Sequence, residues 1–354
     1  FRVSWDGSKI AFTVNEDGMG TLHLLDTATG KELPVPKLPP GIVHGLEWHK
    51  NNEDLGFSFV SARSTSDVYS LNVHSGELAR WTHSETGGIN TDSYADPELI
   101  RWPSFDGKSI SGWLRKPPAK FTGKRPVIID IHGGPEAQAR PVFEPANNYL
   151  VNELGIAVIE PNIRGSSGYG KTFLKLDNGI LRTDAYKDIG ALLDWIKTRP
   201  DLDPDRIMIT GGSYGGHMTL AIASNYPDRI RCALDNCGPS NLVTFLEHTS
   251  GYRQDLRRVE YGDERDPKVR GFLIRTAPMT NVAKITKPLF VVQGANDPRV
   301  PQSEADQMVE ALHASGTPVW YLLAKDEGHG YAKKSNRHFQ LCATAMFIQE
   351  YLLK

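Results

Sequence analysis

Cysteine is scarce in this 354-residue chain, which has only Cys232, Cys237 and Cys342. Their spacing suits neither a disulfide framework nor a Cys-x-x-Cys metal site, so they read as packed thiols. A basic surplus is also lacking. Lys and Arg total 40 against 42 Asp and Glu, for a net charge of -2. Such a chain has no excess cation to neutralise a phosphate backbone, which argues against nucleic acid as the main partner. Long apolar runs are missing too. Nothing approaches the roughly 18 uncharged residues of a membrane helix, so no membrane partner is expected. No His-Glu-x-x-His or other convincing metal spacing occurs. What is present is 39% hydrophobic and 9% aromatic residues. That suffices for packed cores, at roughly 150 residues per domain in about two domains. The first residue is Phe1 and not Met, which reads as the start of a fragment or a processed product.

Residues 1–85 read as short strands between turns, and they repeat. Trp5-Asp6-Gly7-Ser8 leads through Leu22-His23-Leu24-Leu25-Asp26 to Gly30, and the pattern returns from Trp48 through Val68-Tyr69-Ser70-Leu71-Asn72 to Gly76. The period, 43 residues between the tryptophans and 46 between the glycines, suits a four-stranded propeller blade of roughly 40–50 residues. About two blades are expected, a partial propeller. Two cannot close a ring of four to eight. Either further blades lie upstream or the segment is a small appended sheet; an unrelated β-meander is the alternative.

Residues 86–354 form the second expected domain, where strand and helix alternate from about 98 onward. Apolar runs at 128–131, 156–160, 207–209, 230–234, 289–292 and 319–323 read as strands. Stretches at 188–199, 218–225, 304–314 and 339–353 carry helical spacing. Repeated βα units imply an α/β fold with a doubly wound, mostly parallel sheet, its ligand at the strands' carboxyl ends.

Chemistry concentrates at those ends. Gly211-Gly212-Ser213-Tyr214-Gly215 is a Gly-x-Ser-x-Gly between a strand and a helix. A turn that sharp strains the serine backbone, demands small neighbours and lifts the hydroxyl above the sheet. A serine needs a base and a group to orient that base, in the chain order Ser, acid, His. Asp297 follows the strand at 289–292, and His329 lies between two glycines after the next strand. Asp326 and Glu327 are the fallback acids, both close to the histidine in sequence. His132-Gly133-Gly134-Pro135, at the end of another strand, matches a turn that supplies an oxyanion donor; the N–H of Tyr214 would supply the second. His132, His217, His313 and His338 fit the base position less well. The run from Gly165 to Gly170 looks like a phosphate loop, but its spacing is wrong and no P-loop lysine closes it. It follows a sheet strand, which is compatible with bordering the active site.

Together these motifs, with Asn162-Ile163-Arg164-Gly165-Ser166-Ser167-Gly168-Tyr169-Gly170 and Asn296-Asp297-Pro298-Arg299-Val300-Pro301, give the chain its likeness. It resembles the prolyl oligopeptidase family of serine peptidases, which set a β-propeller ahead of an α/β-hydrolase domain. The likeness is strong over residues 98–354 and weak over the blade-like part. His-Gly-Gly-Pro is more similar to the acylaminoacyl-peptidase and dipeptidyl-peptidase branch, since narrow prolyl oligopeptidases carry a tyrosine where His132 stands. The resemblance implies that Arg299 faces the substrate backbone and that Val300 lines the pocket before the scissile bond. Phe245 and Leu242 are weaker pocket candidates.

The expectation is therefore a serine hydrolase working through an acyl-enzyme. Ser213 would attack, His329 would act as base, Asp297 would orient it, and Gly134 and Tyr214 would hold the oxyanion. No metal or cofactor is called for. The expected substrate is a short peptide or N-acylated amino acid. A carboxylesterase is the first rival, and a propeller-type binding protein with an inactive hydrolase domain the second. Association into a homo-oligomer stays open.

Overall fold

The computed structural model describes residues 1–354. It divides into two compact units, one of Phe1–Leu99 with Arg140–Glu153, the other of Ile100–Ala139 with Leu154–Lys354.

The first unit carries two successive meanders. One runs through Arg2–Val3, Lys9–Glu16, Met19–Asp26 and Glu32–Leu33, the other through Gly41–Trp48, Asp54–Ser61, Ser64–Asn72 and Leu78–Arg80. Consecutive strands within each pair antiparallel. Every second residue of Asp54–Ser61 is buried, the period a half-buried strand imposes. Leu55, Phe57 and Phe59 join Ala11, Leu22, Leu24 and Trp48 in one cluster. The repeat is legible in the turns. Gly30 N–H bonds Asp26 O, and Gly76 N–H bonds Asn72 O, both at 2.9 Å. The glycines have φ of 67° and 74°, where a Cβ is penalised. The Asp26 and Asn72 side chains accept from Thr29 N and Ser75 N at 2.8 and 3.0 Å. One turn chemistry serves both copies.

The first unit runs on to Leu99, beyond the blade-like residues 1–85, and the helix Pro145–Asn152 groups with it. Polar contacts account for it. Arg63 clasps Asp96 at 3.0 and 2.6 Å, Ser84 N–H bonds Asp67 at 2.8 Å, and Arg140 Nε bonds Gly18 O at 2.7 Å.

The second sheet has the spatial order Val319–Ala324, Leu289–Gly294, Cys232–Asn236, Leu202–Gly212, Arg125–Ile131, Ala157–Asn162, Ser109–Arg115 and Glu98–Pro103. The first six are parallel, and Ser109–Arg115 joins antiparallel. This is the doubly wound, mostly parallel sheet of the α/β-hydrolase fold. Arg125–Ile131 lies between Ala157–Asn162 and Leu202–Gly212, so strand order reverses there. Crevices for ligands open at such reversals. The helix Arg182–Lys197 turns Ala185, Ile189, Leu192, Leu193 and Ile196 into the core. Each large apolar side chain buried this way stabilises by about 1.5–3 kcal/mol.

One helix start differs instructively. The apolar pattern suggests Met218, but the helix spans Tyr214–Asn225 and begins directly after Ser213. Gly215 and Gly216 each lower helix propensity by about 1 kcal/mol, which hides the first turn from a propensity reading.

Candidate active site

All the candidate site residues lie in the second unit. The strand Leu202–Gly212 hands over to the helix Tyr214–Asn225 through Ser213 alone, at φ 58° and ψ -116°. Few non-glycine residues occupy positive φ, and holding one there costs on the order of 1–3 kcal/mol. Hydrogen bonds hold it in place. Ser213 N–H bonds Asn236 O at 2.8 Å, and its carbonyl accepts from His217 N at 3.0 Å. The first N–H groups of the helix, Tyr214's among them, have no carbonyl within the helix to bond.

Asp297 follows Leu289–Gly294 and His329 follows Val319–Ala324, the two neighbouring strand ends. His329 Nδ1 lies 2.7 Å from Asp297 Oδ2. The other carboxylate oxygen accepts from Arg299 N at 2.8 Å and Val300 N at 3.0 Å. Asp297 is buried, so this carboxylate is aimed by three donors. No hydrogen bond joins His329 to Ser213. The two turns meet instead at Cys237, whose sulfur is approached by the N–H groups of Ser213 and Gly330. The ligating atoms of Cys237, Asp297 and His329 lie within 4.8 Å of one another. Burial pushes the Cys237 thiol up to about 12, far from the thiolate that metal binding needs. The fallback acids are engaged elsewhere. Asp326 pairs with Lys333, and Glu327 accepts from Ala332 N and Lys333 N at 3.0 and 2.9 Å.

The His-Gly-Gly-Pro turn sits against the elbow. A Cβ on Gly133 would lie 3.0 Å from Gly212 O and 3.5 Å from the Ser213 Cβ. His132 Nδ1 lies 2.7 Å from Gly133 O. A carbonyl only accepts, so Nδ1 carries the proton. That bond fixes the peptide unit whose N–H belongs to Gly134. Burial also pushes the His132 imidazole below its ordinary value. Its Nε2 contacts Ser166 Oγ at 2.8 Å.

Ser166 belongs to the glycine-rich run at 165–170, and the structure gives that run work. Asn162 exchanges two hydrogen bonds with the Ala139 backbone, at 2.7 and 3.0 Å, and Ser167 N–H bonds Ala137 O at 2.8 Å. Arg164 anchors the segment on buried Asp188 at 2.7 and 2.9 Å. The segment is a brace for the turn at 132–139.

The remaining candidates fall as follows. Val300, Leu242 and Phe245 are buried in the main apolar cluster, with Phe245 edge-on to Tyr261 at 5.6 Å. The Arg299 side chain is exposed, while its carbonyl accepts from Thr249 Oγ1 at 2.7 Å. His217 is walled in between Tyr186 Oη and Pro239 O, at 2.7 and 2.8 Å, and burial lowers it to about 4. The sequence reading did not single out Asp177, Arg182, Arg257 or Glu260, which gather beneath the elbow. Only the three-residue helical spacing of Arg257 and Glu260 hints at a pair.

The profile of the Prolyl oligopeptidase family matches residues 141–354. This chain belongs to that family. Among relatives in the prolyl oligopeptidase family, dipeptidyl aminopeptidase BIII of Pseudoxanthomonas mexicana is 36% identical over 272 residues, 72% of this chain and 39% of the relative. Dipeptidyl peptidase family member 6 of Caenorhabditis elegans is 36% identical over 230 residues, 64% of this chain and 31% of the relative. The chain thus spans well under half the length of these relatives. The fold is shared with a puromycin-hydrolyzing peptidase of Mycobacterium tuberculosis, at TM-score 0.86 and 22% identity over 99% of this chain and 54% of the other. Pyrococcus horikoshii acylaminoacyl peptidase gives TM-score 0.82 at 23% identity, over 97% and 54%.

Proposed function

We propose that this chain is the catalytic part of a serine peptidase, acting by acyl transfer on short peptides or N-acylated amino acids. The observation that carries the proposal is the Asp297–His329 hydrogen bond at 2.7 Å, set beside a serine at positive φ on a strand-to-helix elbow. Asp297 holds the proton on Nδ1, leaving Nε2 as a base. His329 takes the Ser213 hydroxyl proton as Oγ attacks the carbonyl carbon. The Gly134 and Tyr214 N–H groups receive the oxyanion. Collapse breaks the C–N bond as His329 returns the proton to the leaving amine. Water then repeats the sequence against the acyl-enzyme and releases the acid. The names of the similar proteins, a dipeptidyl aminopeptidase, a dipeptidyl peptidase family member and a puromycin-hydrolyzing peptidase, favour small amide substrates. The two meanders read as propeller blades. Esters, with better leaving groups, suit the same machinery, so a carboxylesterase is the second reading.

A fluorophosphonate probe should label Ser213, and only when the protein is folded. Turnover of acyl-amino-acid and dipeptide p-nitroanilides beside p-nitrophenyl esters then separates peptidase from esterase. Absence of labelling would exclude serine acyl transfer; ester turnover with no anilide turnover would favour the esterase.

Arg299 supports a finer assignment. Its N–H and carbonyl are both pinned, and its exposed side chain makes no hydrogen bond within the protein. An exposed guanidinium on a pinned backbone, two residues from the acid, suits a substrate carbonyl. Such a charged hydrogen bond is worth about 1.5–3 kcal/mol. Arg299→Ala should raise KM for peptide anilides at least about tenfold and leave KM for p-nitrophenyl acetate nearly unchanged. Equal shifts for both substrates would remove Arg299 from the binding site.

A further inference from the structure

Two ionic pairs lie under the proposed oxyanion donors, and no step of the mechanism uses them. Arg257, on the helix Gly251–Tyr261, donates to the Gly134 carbonyl at 3.2 Å and to Glu260 Oε2 at 2.6 Å. The carbonyl of Glu260 accepts from Arg182 Nη2 at 2.9 Å. Arg182 is fully buried, pairs with Asp177, and lies over the rings of Tyr214 and Tyr261 at 5.1 and 4.8 Å. Asp177 in turn accepts from the Tyr214 hydroxyl at 3.2 Å. The series starts on Gly134 and ends on Tyr214. These are the two residues whose N–H groups the proposed function assigns to the oxyanion.

Geometry gives such a link a task. An oxyanion hole works by preorganisation, with donors held where charge will develop, to within about 0.5 Å. Gly134 and Tyr214 lie on separate segments, and Gly134 sits at φ 127°, where the freedom of a glycine backbone leaves the direction of its N–H to be set by its neighbours. His132 holds the peptide on one side of Gly134, and Arg257 holds the carbonyl on the other. Buried ion pairs seldom stabilise a fold more than apolar packing does, so fold stability is a weak reason for this one. Burial also raises the Glu260 carboxyl, and Arg257 opposes the shift.

We propose that Arg257–Glu260 and Arg182–Asp177 act as one positioning frame, which keeps the Gly134 and Tyr214 N–H groups aimed at a common point. The proposal rests on the oxyanion assignment above.

Arg257 is the place to cut the frame, because its side chain is 20% exposed whereas Arg182 is enclosed. Arg257→Met keeps the stem and removes both hydrogen bonds; Arg257→Lys keeps the charge. Turnover of p-nitrophenyl butyrate is measured per active site, counted by fluorophosphonate labelling taken to completion. Arg257→Met should lose about 10–100-fold in kcat per site, with KM within about twofold. Arg257→Lys should recover most of that. A peptide aldehyde, whose hemiacetal oxygen occupies the oxyanion position, should lose affinity in parallel. A purely structural role would reduce the number of sites and the melting temperature but leave kcat per site and aldehyde binding unchanged. That result overturns the frame. Should Arg257→Met not fold, Tyr214→Phe, which removes the bond to Asp177, decides by the same two readouts. Full turnover by Ser213→Ala in the same assay would instead place the failure in the serine-peptidase reading.

Discussion

Asp297→Asn should lose about 10⁴-fold in kcat, the loss seen when a triad carboxylate becomes an amide, with little change in melting. The carboxylate's surroundings dictate the direction. Its Oδ1 accepts from two backbone N–H groups, those of Arg299 and Val300. An asparagine must keep its oxygen there and turn its NH2 toward His329. An NH2 can only donate, so Nδ1 becomes the acceptor and the proton moves to Nε2. In that tautomer the ring cannot take the serine proton. Ser213→Ala and His329→Ala should abolish most turnover for simpler reasons. Ser213→Gly adds a stability readout. Relief of the positive-φ serine is worth about 1–3 kcal/mol against about 0.5–1 kcal/mol of added chain entropy, so the inactive variant should melt higher than the parent. The check is kcat on a p-nitrophenyl ester beside thermal melting. Near-parental turnover by Asp297→Asn with unchanged melting would move the acid role to Asp326 or Glu327, and either would first have to leave the partners it now holds.

The order of Ser213, Asp297 and His329 is legible because each sits in a short motif directly after a strand. Local pattern and the chemistry of one turn suffice to find them. The sheet is legible for the same reason, since its buried parallel strands are continuous apolar runs. The braces are not. His132 meets Ser166 across 34 residues and Arg257 meets Gly134 across 123, and neither pairing leaves a local signature. The run at 165–170 shows the consequence. Its glycines suggest a loop that approaches a ligand, whereas Gly165 packs on the Asp177 carboxyl and Gly168 on the Gln138 amide. Both glycines give room for a close approach, and the group that approaches is the chain's own. The pairing of Arg63 with Asp96, 33 residues apart, leaves no local signature either.

The elbow glycines lead to the second large effect. In Gly211-Gly212-Ser213-Tyr214-Gly215 only the outer two glycines lack room. A Cβ on Gly215 would fall against the Ile131 carbonyl, 2.9 Å from its carbon and 3.1 Å from His132 O. One on Gly211 would lie 2.7 Å from the Gly215 carbonyl, but one on Gly212 meets nothing nearer than 3.9 Å. Alanine at 215 would gain about 1 kcal/mol of helix propensity. Overpacking costs about 1–3 kcal/mol even where side chains can shift. Here the obstacle is the backbone of a central strand, so the clash wins. Ile131 also leads directly into His132-Gly133-Gly134, and displacing it displaces the proposed oxyanion donor. Gly215→Ala should therefore lose at least about 2 kcal/mol of stability and about 10²–10³ in kcat per titrated site, the range for a lost oxyanion donor. Gly212→Ala should stay within about 1 kcal/mol of the parent and keep near-parental turnover. Urea midpoints and turnover per fluorophosphonate-labelled site, measured for both variants, compare them directly. Equal tolerance of the two alanines would mean that the strand end yields to the elbow, and that the packing of Gly215 on Ile131 does not hold the donor turn in place.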